Sequence, residues 1–76
     1  MRIDSILPNL APPGQSVVIQ GDSLGAAEKV FFGDQETSFD VDGEVLLVTV
    51  PDGEGEVEVM VKGQNGQSGV ANFIIA

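Results

Sequence analysis

The chain of 76 residues has no cysteine, no histidine, no tryptophan and no tyrosine, and only three basic residues, Arg2, Lys29 and Lys62. Each absence removes a class of explanation. Without cysteine, no disulfide or thiolate metal site can reinforce a small core. Without histidine or cysteine, the commonest general base and the strongest nucleophile are both missing. The serines lie in turns and at strand starts, and none sits in a Gly-x-Ser-x-Gly elbow. Carboxylate pairs remain, but acid–base work needs them in a concave, partly dry pocket, and a chain this short has little volume for one. The expectation is a protein that is not an enzyme and holds no cofactor. Three basic against twelve acidic residues give a net charge of −9, a surface that repels phosphate backbones and anionic lipid. Nucleic acid and membranes are therefore set aside as partners. No apolar run near Met1 is long enough for a secretory leader or a membrane span. With Met1 as the native start, the protein would reach its destination without the usual export signal.

What the chain does have is a series of short alternating apolar runs, each ended by glycine or proline. They are Val17-Val18-Ile19-Gln20-Gly21, Val30-Phe31-Phe32-Gly33, Leu46-Leu47-Val48-Thr49-Val50-Pro51 and Val57-Glu58-Val59-Met60-Val61. Period-two alternation between turn residues is the pattern of half-buried strands. The reading along the chain is a strand over 2–7, a proline-rich crossing over 9–14 and a strand over 16–20. A loop over 22–28 follows, with Leu24 folded inward as a plug, then a strand over 29–32 and a short edge strand over 35–39. An acidic Asp42-Gly43 turn occupies 40–44. Strands over 45–50 and 56–62 come next, joined by Pro51-Asp52-Gly53, then a flexible stretch over 63–69 and a last strand over 70–75. No helical periodicity, linker or repeat interrupts this. The expected fold is all-β, one domain over 1–76, an immunoglobulin-like antiparallel sandwich of about seven short strands.

The ordered set Ile3-x-x-Ile6-x-Pro8, Gly14-x-x-Val17-x-Ile19-x-Gly21, Val30-x-Phe32-Gly33, Val48-x-Val50-Pro51 and Gly55-x-Val57-x-Val59-x-Val61, with the late Ser68 and Phe73, resembles the IPT/TIG family of immunoglobulin-like domains. The resemblance covers nearly the whole chain and departs from the family at Leu24, where an aromatic is usual. It implies a spacer or binding module with no shared active site. Family members that touch DNA do so with basic loops, which this chain lacks.

Two acidic clusters invite a metal reading. Asp40-Val41-Asp42-Gly43-Glu44 is too short for a calcium loop that draws ligands from twelve residues and reads as a hairpin turn whose charges discourage edge pairing. Glu54, Glu56 and Glu58 fall on one side of a strand, as a solvated face does. No metal site is expected. The candidate contact surface is apolar. With Val30 and Phe32 inward, Phe31 points outward; by the same alternation Met60 and Ile74 do too. Their three strands are expected side by side, the Met60 strand in the middle, so Phe31, Met60 and Ile74 form the expected protein-contact face. Leu47 faces outward alone on the other sheet. The tips over 22–28 and 63–69 are further candidates.

The expected role is a non-enzymatic structural or binding subunit whose partner is protein, either a larger assembly or a second copy. The leading reading is a decoration or tail-associated subunit on a bacteriophage virion surface. The alternatives are a domain of a bacterial cell-surface adhesion protein, extracellular in place, and an accessory carbohydrate-binding module of a polysaccharide-acting enzyme. The last suffers from the lack of tryptophan and tyrosine for stacking on sugar rings.

Overall fold

Alternation along each strand decides which side chains meet. In Ser16–Asp22, Val17 and Ile19 are buried while Ser16 and Gln20 are exposed. Val59 and Val61, Phe73 and Ile75, and Leu46 and Val48 repeat the pattern. The computed structural model describes all 76 residues apart from the side chain of Asn65. Its strands are β1 (Arg2–Leu7), β2 (Leu10–Ala11), β3 (Ser16–Asp22), β4 (Ala27–Phe32), β5 (Gln35–Thr37), β6 (Phe39–Asp42), β7 (Val45–Thr49), β8 (Gly55–Gly63) and β9 (Ser68–Ile75), with single 3-10 turns at Leu24–Ala26 and Gln64–Gly66. Two sheets form an immunoglobulin-like sandwich. One runs β1-β3-β7-β6 and the other β2-β9-β8-β4-β5. Among the described residues no helix is long and apolar enough to cross a membrane.

The core lies between the sheets. Ile6, Val17, Ile19, Leu46 and Val48 come from the first sheet; Val30, Phe32, Val59, Val61, Phe73 and Ile75 come from the second. Phe32 and Phe73 meet edge to face, centroids 5.4 Å apart at 78°, the arrangement in which a ring edge meets a negative ring face. Leu24 is fully buried from the 3-10 turn and closes one end, as the plug reading expects.

Four local expectations need correction. The proline-rich crossing contains a strand, β2, which runs parallel to β9 and makes the sandwich not wholly antiparallel. The stretch over 35–39 splits at Ser38, so that β5 edges one sheet and β6 the other. There the Thr37 hydroxyl donates to the Thr49 carbonyl at 2.8 Å, tying the two sheets where the chain changes layer. The acidic turn over 40–44 is mostly strand: Phe39 and Val41 alternate with Asp40 and Asp42, and the chain reverses at Gly43, whose φ of 65° suits glycine. Finally, the β8–β9 ladder closes as far as Lys62 opposite Ser68. Most of the stretch expected to be flexible over 63–69 is thereby absorbed into strands and a 3-10 turn; the Asn65 side chain lies outside the described residues.

Candidate functional site

The outer face of the five-stranded sheet is built by cross-strand register. Partners on adjacent strands share a face with Cβ atoms about 5 Å apart. Phe31 of β4 lies opposite Met60 of β8, and Met60 opposite Val70 of β9, so these three form one apolar row, continued by Glu36 of β5. One side of that row carries Lys29, Lys62 and Ser68, the other Glu58 and Asn72. The row beyond holds Glu56, Ile74 and Leu10.

Phe31 and Met60, expected together, are together. Ile74 is exposed on the same face as expected, but it pairs with Glu56 and Leu10, two rows from Met60. Val70 holds the position that the sequence reading gave to Ile74. Side-chain parity assigns all three to the outer face equally, and only the register of the β8–β9 hairpin chooses between Val70 and Ile74.

Around the row is a shallow open recess of about 380 Å³ lined by Phe31, Gly33, Asp34, Glu58, Met60 and Lys62. Gly33 shapes its rim. It takes the left-handed φ of 63° that glycine tolerates, and its N–H donates to the Glu58 carbonyl at 2.8 Å. Lys29 and Lys62 are direct partners, a like-charge pair that costs stability. Lys62 turns its ammonium over the Phe31 ring, 5.4 Å from the centroid, a contact worth ~0.5–1 kcal/mol at an exposed site. The apolar floor, two carboxylates on one side and an ammonium on the other suit contact with a surface of mixed character. The Phe31 ring is covered on one face by that ammonium, which leaves it a poor platform for stacking a sugar ring. Among the described residues no group of three or more histidines, cysteines or carboxylates is placed to hold a metal ion.

Leu47 is not alone on the opposite sheet. It lies opposite Val18, and Val18 opposite Leu7, a second apolar row on the outer face of the four-stranded sheet. Sequence reading missed it because Leu7 stands beside Pro8 at a strand end, where outward direction is hard to assign. The tip over 22–28 is largely a structural turn around Leu24.

No curated protein matches the chain. Its fold recurs in solved structures, among them the following three. The gamma-CGTase from alkalophilic Bacillus clarkii matches with a TM-score of 0.87 and 24% identity over 97% of this chain and 12% of the enzyme. SGBP-B from a complex xyloglucan utilization locus in Bacteroides uniformis matches with a TM-score of 0.79 and 14% identity, over 96% of this chain and 22% of that one. The SGBP-B of the Bacteroides ovatus mixed-linkage glucan utilization locus, solved with a mixed-linkage heptasaccharide, gives 0.78 and 14% over 100% and 22%. The chain thus spans less than a quarter of each of these proteins. The model of the IPT/TIG domain matches residues 1–74, and the chain belongs to the IPT/TIG family.

Proposed function

We propose that this chain is a non-catalytic positioning module of a larger, polysaccharide-handling protein or assembly at the cell surface, and that the Phe31–Met60–Val70 row is its contact with a protein partner. The observation that carries the reading is the kind of protein in which the same sandwich recurs. Two neighbours come from xyloglucan and mixed-linkage glucan utilization loci and the third is a CGTase, and in each the sandwich is a minor share of the length. This supports the surface-module and polysaccharide-accessory readings over a virion accessory subunit, which gains nothing from the comparisons. Positioning is preferred to direct sugar binding because the sequence has no tryptophan or tyrosine and the Phe31 ring is overlaid by Lys62.

Calorimetric titration of the chain with mixed-linkage heptasaccharide and with xyloglucan oligosaccharides tests this. The expected result is no saturable heat up to about 1 mM ligand, the range where binding free energy falls to about −4 kcal/mol. Saturable binding that Phe31→Ala abolishes would overturn the positioning role and make the recess a sugar subsite.

A further inference from the structure

The recess beside Phe31 is apolar at its floor and acidic at its wall. Phe31 and Met60 are both half-buried and directly opposite one another, so a ring and a thioether form the floor. Gly33 lines the recess without adding a side chain, and no heavy atom lies within 4 Å of where its Cβ would stand. Beyond it are Asp34 and Glu58, and Glu36 of β5 lies opposite Phe31. All three carboxylates are exposed. None has a basic partner, because the single ion pair among the described residues joins Arg2 to Asp4. Lys62, which lines the far side, turns its ammonium to the Phe31 ring instead.

Carboxylates alone would be a solvated rim. Around an apolar floor they complement a side chain that is apolar along its stem and cationic at its tip. Two side chains have that form, and arginine suits this recess better. Its flat guanidinium stacks on an aromatic face, bonds carboxylates through a planar fork and is more weakly hydrated than an ammonium. Lys29 and Lys62 are paired on the other side of the apolar row, so an incoming cation is directed to the Gly33 side. Aliphatic neighbours of that cation then meet Met60 and the exposed Val70.

We infer that the partner of the Phe31–Met60–Val70 row presents an arginine flanked by aliphatic residues, and that this arginine seats in the recess with its guanidinium on the Asp34 and Glu58 carboxylates. The inference rests on the reading of that row as a protein contact and adds the chemistry of the partner. The charge of the whole molecule acts in the same direction. A chain of net charge −9 attracts basic segments and repels acidic ones, its own copies included, and such a field speeds encounter with the complementary partner. Size agrees as well. The recess of about 380 Å³ is shallow and open, near the small end of the ~300–1,000 Å³ of ligand sites, and it suits one long side chain. Arginine against an aromatic is also the pairing that recurs where a few residues carry most of an interface.

Nuclear magnetic resonance titration of the full chain with short, end-blocked peptides tests it. The peptides carry leucines around a central arginine, lysine or citrulline, the last being the neutral isostere of arginine. The expected result is that the arginine peptide moves the amides of Phe31, Gly33, Asp34, Glu58 and Met60. It should bind at least about tenfold tighter than the citrulline peptide, the factor that a charge-assisted hydrogen bond supplies. Asp34→Asn with Glu58→Gln should abolish that advantage. Asp22→Asn with Glu44→Gln, equal in charge but placed on the four-stranded sheet, should keep it. An advantage that falls equally in both double variants overturns the inference, because net charge alone then does the attracting. A lysine peptide as tight as the arginine one overturns the choice of a guanidinium. Arginine and citrulline peptides that bind the recess equally overturn the inference and leave the protein-contact reading standing. The absence of any shift up to about 10 mM peptide, beyond the range of weak binding, also overturns it. Shifts at the recess with mixed-linkage heptasaccharide instead overturn the reading beneath it.

Discussion

Phe31 and Phe32 are adjacent in sequence and opposite in consequence, because alternation sends one to the surface and the other into the core. Phe32 is 2% exposed and packs edge to face on Phe73. Phe32→Ala should cost ~3–5 kcal/mol, as deletion of a buried ring does, and unfold much of the population at 25 °C. Phe31→Asp removes a half-buried ring and its contact with Lys62, so its melting transition should stay cooperative and within a few degrees of the parent. Thermal melts by circular dichroism compare them directly, and a Phe31→Asp chain that fails to fold would mean that the outer face is part of the core. Gly21 is a third case. It sits opposite Ile3 beside the irregularity in the β1–β3 ladder, where a methyl group would collide with the Arg2 carbonyl. Backbone rather than a movable side chain is in the way, so Gly21→Ala should destabilise by ~1–3 kcal/mol. Gly14 faces open space, and the same substitution there tests only its φ of 89°. Equal melting temperatures for Gly21→Ala and the parent would show that β1 can move aside.

Strand existence was legible in the sequence because it rests on alternation, a local property; pairing was not, because it rests on turns. Val57, Val59 and Val61 announce β8 without help. That Met60 faces Val70 and not Ile74 depends on how the chain reverses between Gly63 and Ser68, and a run of glycine, glutamine, asparagine and serine carries little periodic signal. β6 escaped for a related reason: Asp42-Gly43 is so strong a turn signal that Val41 falls within the turn over 40–44, while Phe39 is assigned to the end of the edge strand over 35–39. Val30 and Phe32 were legible as core from alternation, whereas the partners of Leu47 depended on the order of β1, β3 and β7. The position of β6 also gives its acids a purpose. It is an edge strand whose free backbone groups face solvent, and Asp40 and Asp42, both exposed, oppose pairing with another chain. Asp40→Thr with Asp42→Thr keeps strand propensity and removes the charges. The double variant should melt close to the parent but scatter light on incubation below its melting temperature, while the parent stays clear. Equal clarity in both would show that another feature guards this edge.

For the whole molecule the main opposing force is its own charge. Twelve carboxylates stand against three basic groups on a 76-residue chain. The single ion pair among the described residues, Arg2 with Asp4 at 2.8 Å, is solvent-exposed on both sides, a kind that contributes little. Unpaired like charges on a compact body repel more than on the expanded unfolded chain, so screening should favour the native state. Raising sodium chloride from about 0.01 M to about 1 M shortens the Debye length from ~30 to ~3 Å. A gain of only ~1 kcal/mol would lift the melting temperature by roughly 4–8 °C in a domain this small. Sodium chloride rather than sulfate is the right salt, because sulfate also strengthens apolar burial by exclusion from the surface. The specific claim is that salt and charge removal are interchangeable. Asp34, Asp52 and Glu54 lie exposed in turns outside the strands, so Asp34→Asn, Asp52→Asn and Glu54→Gln together leave the charges on the strands themselves in place. The triple variant should melt several degrees higher than the parent at low salt and gain less from added salt, so that the two curves converge at about 1 M. Parallel curves would show that the carboxylates act locally in their turns, and that the net charge of −9 is a matter of solubility alone.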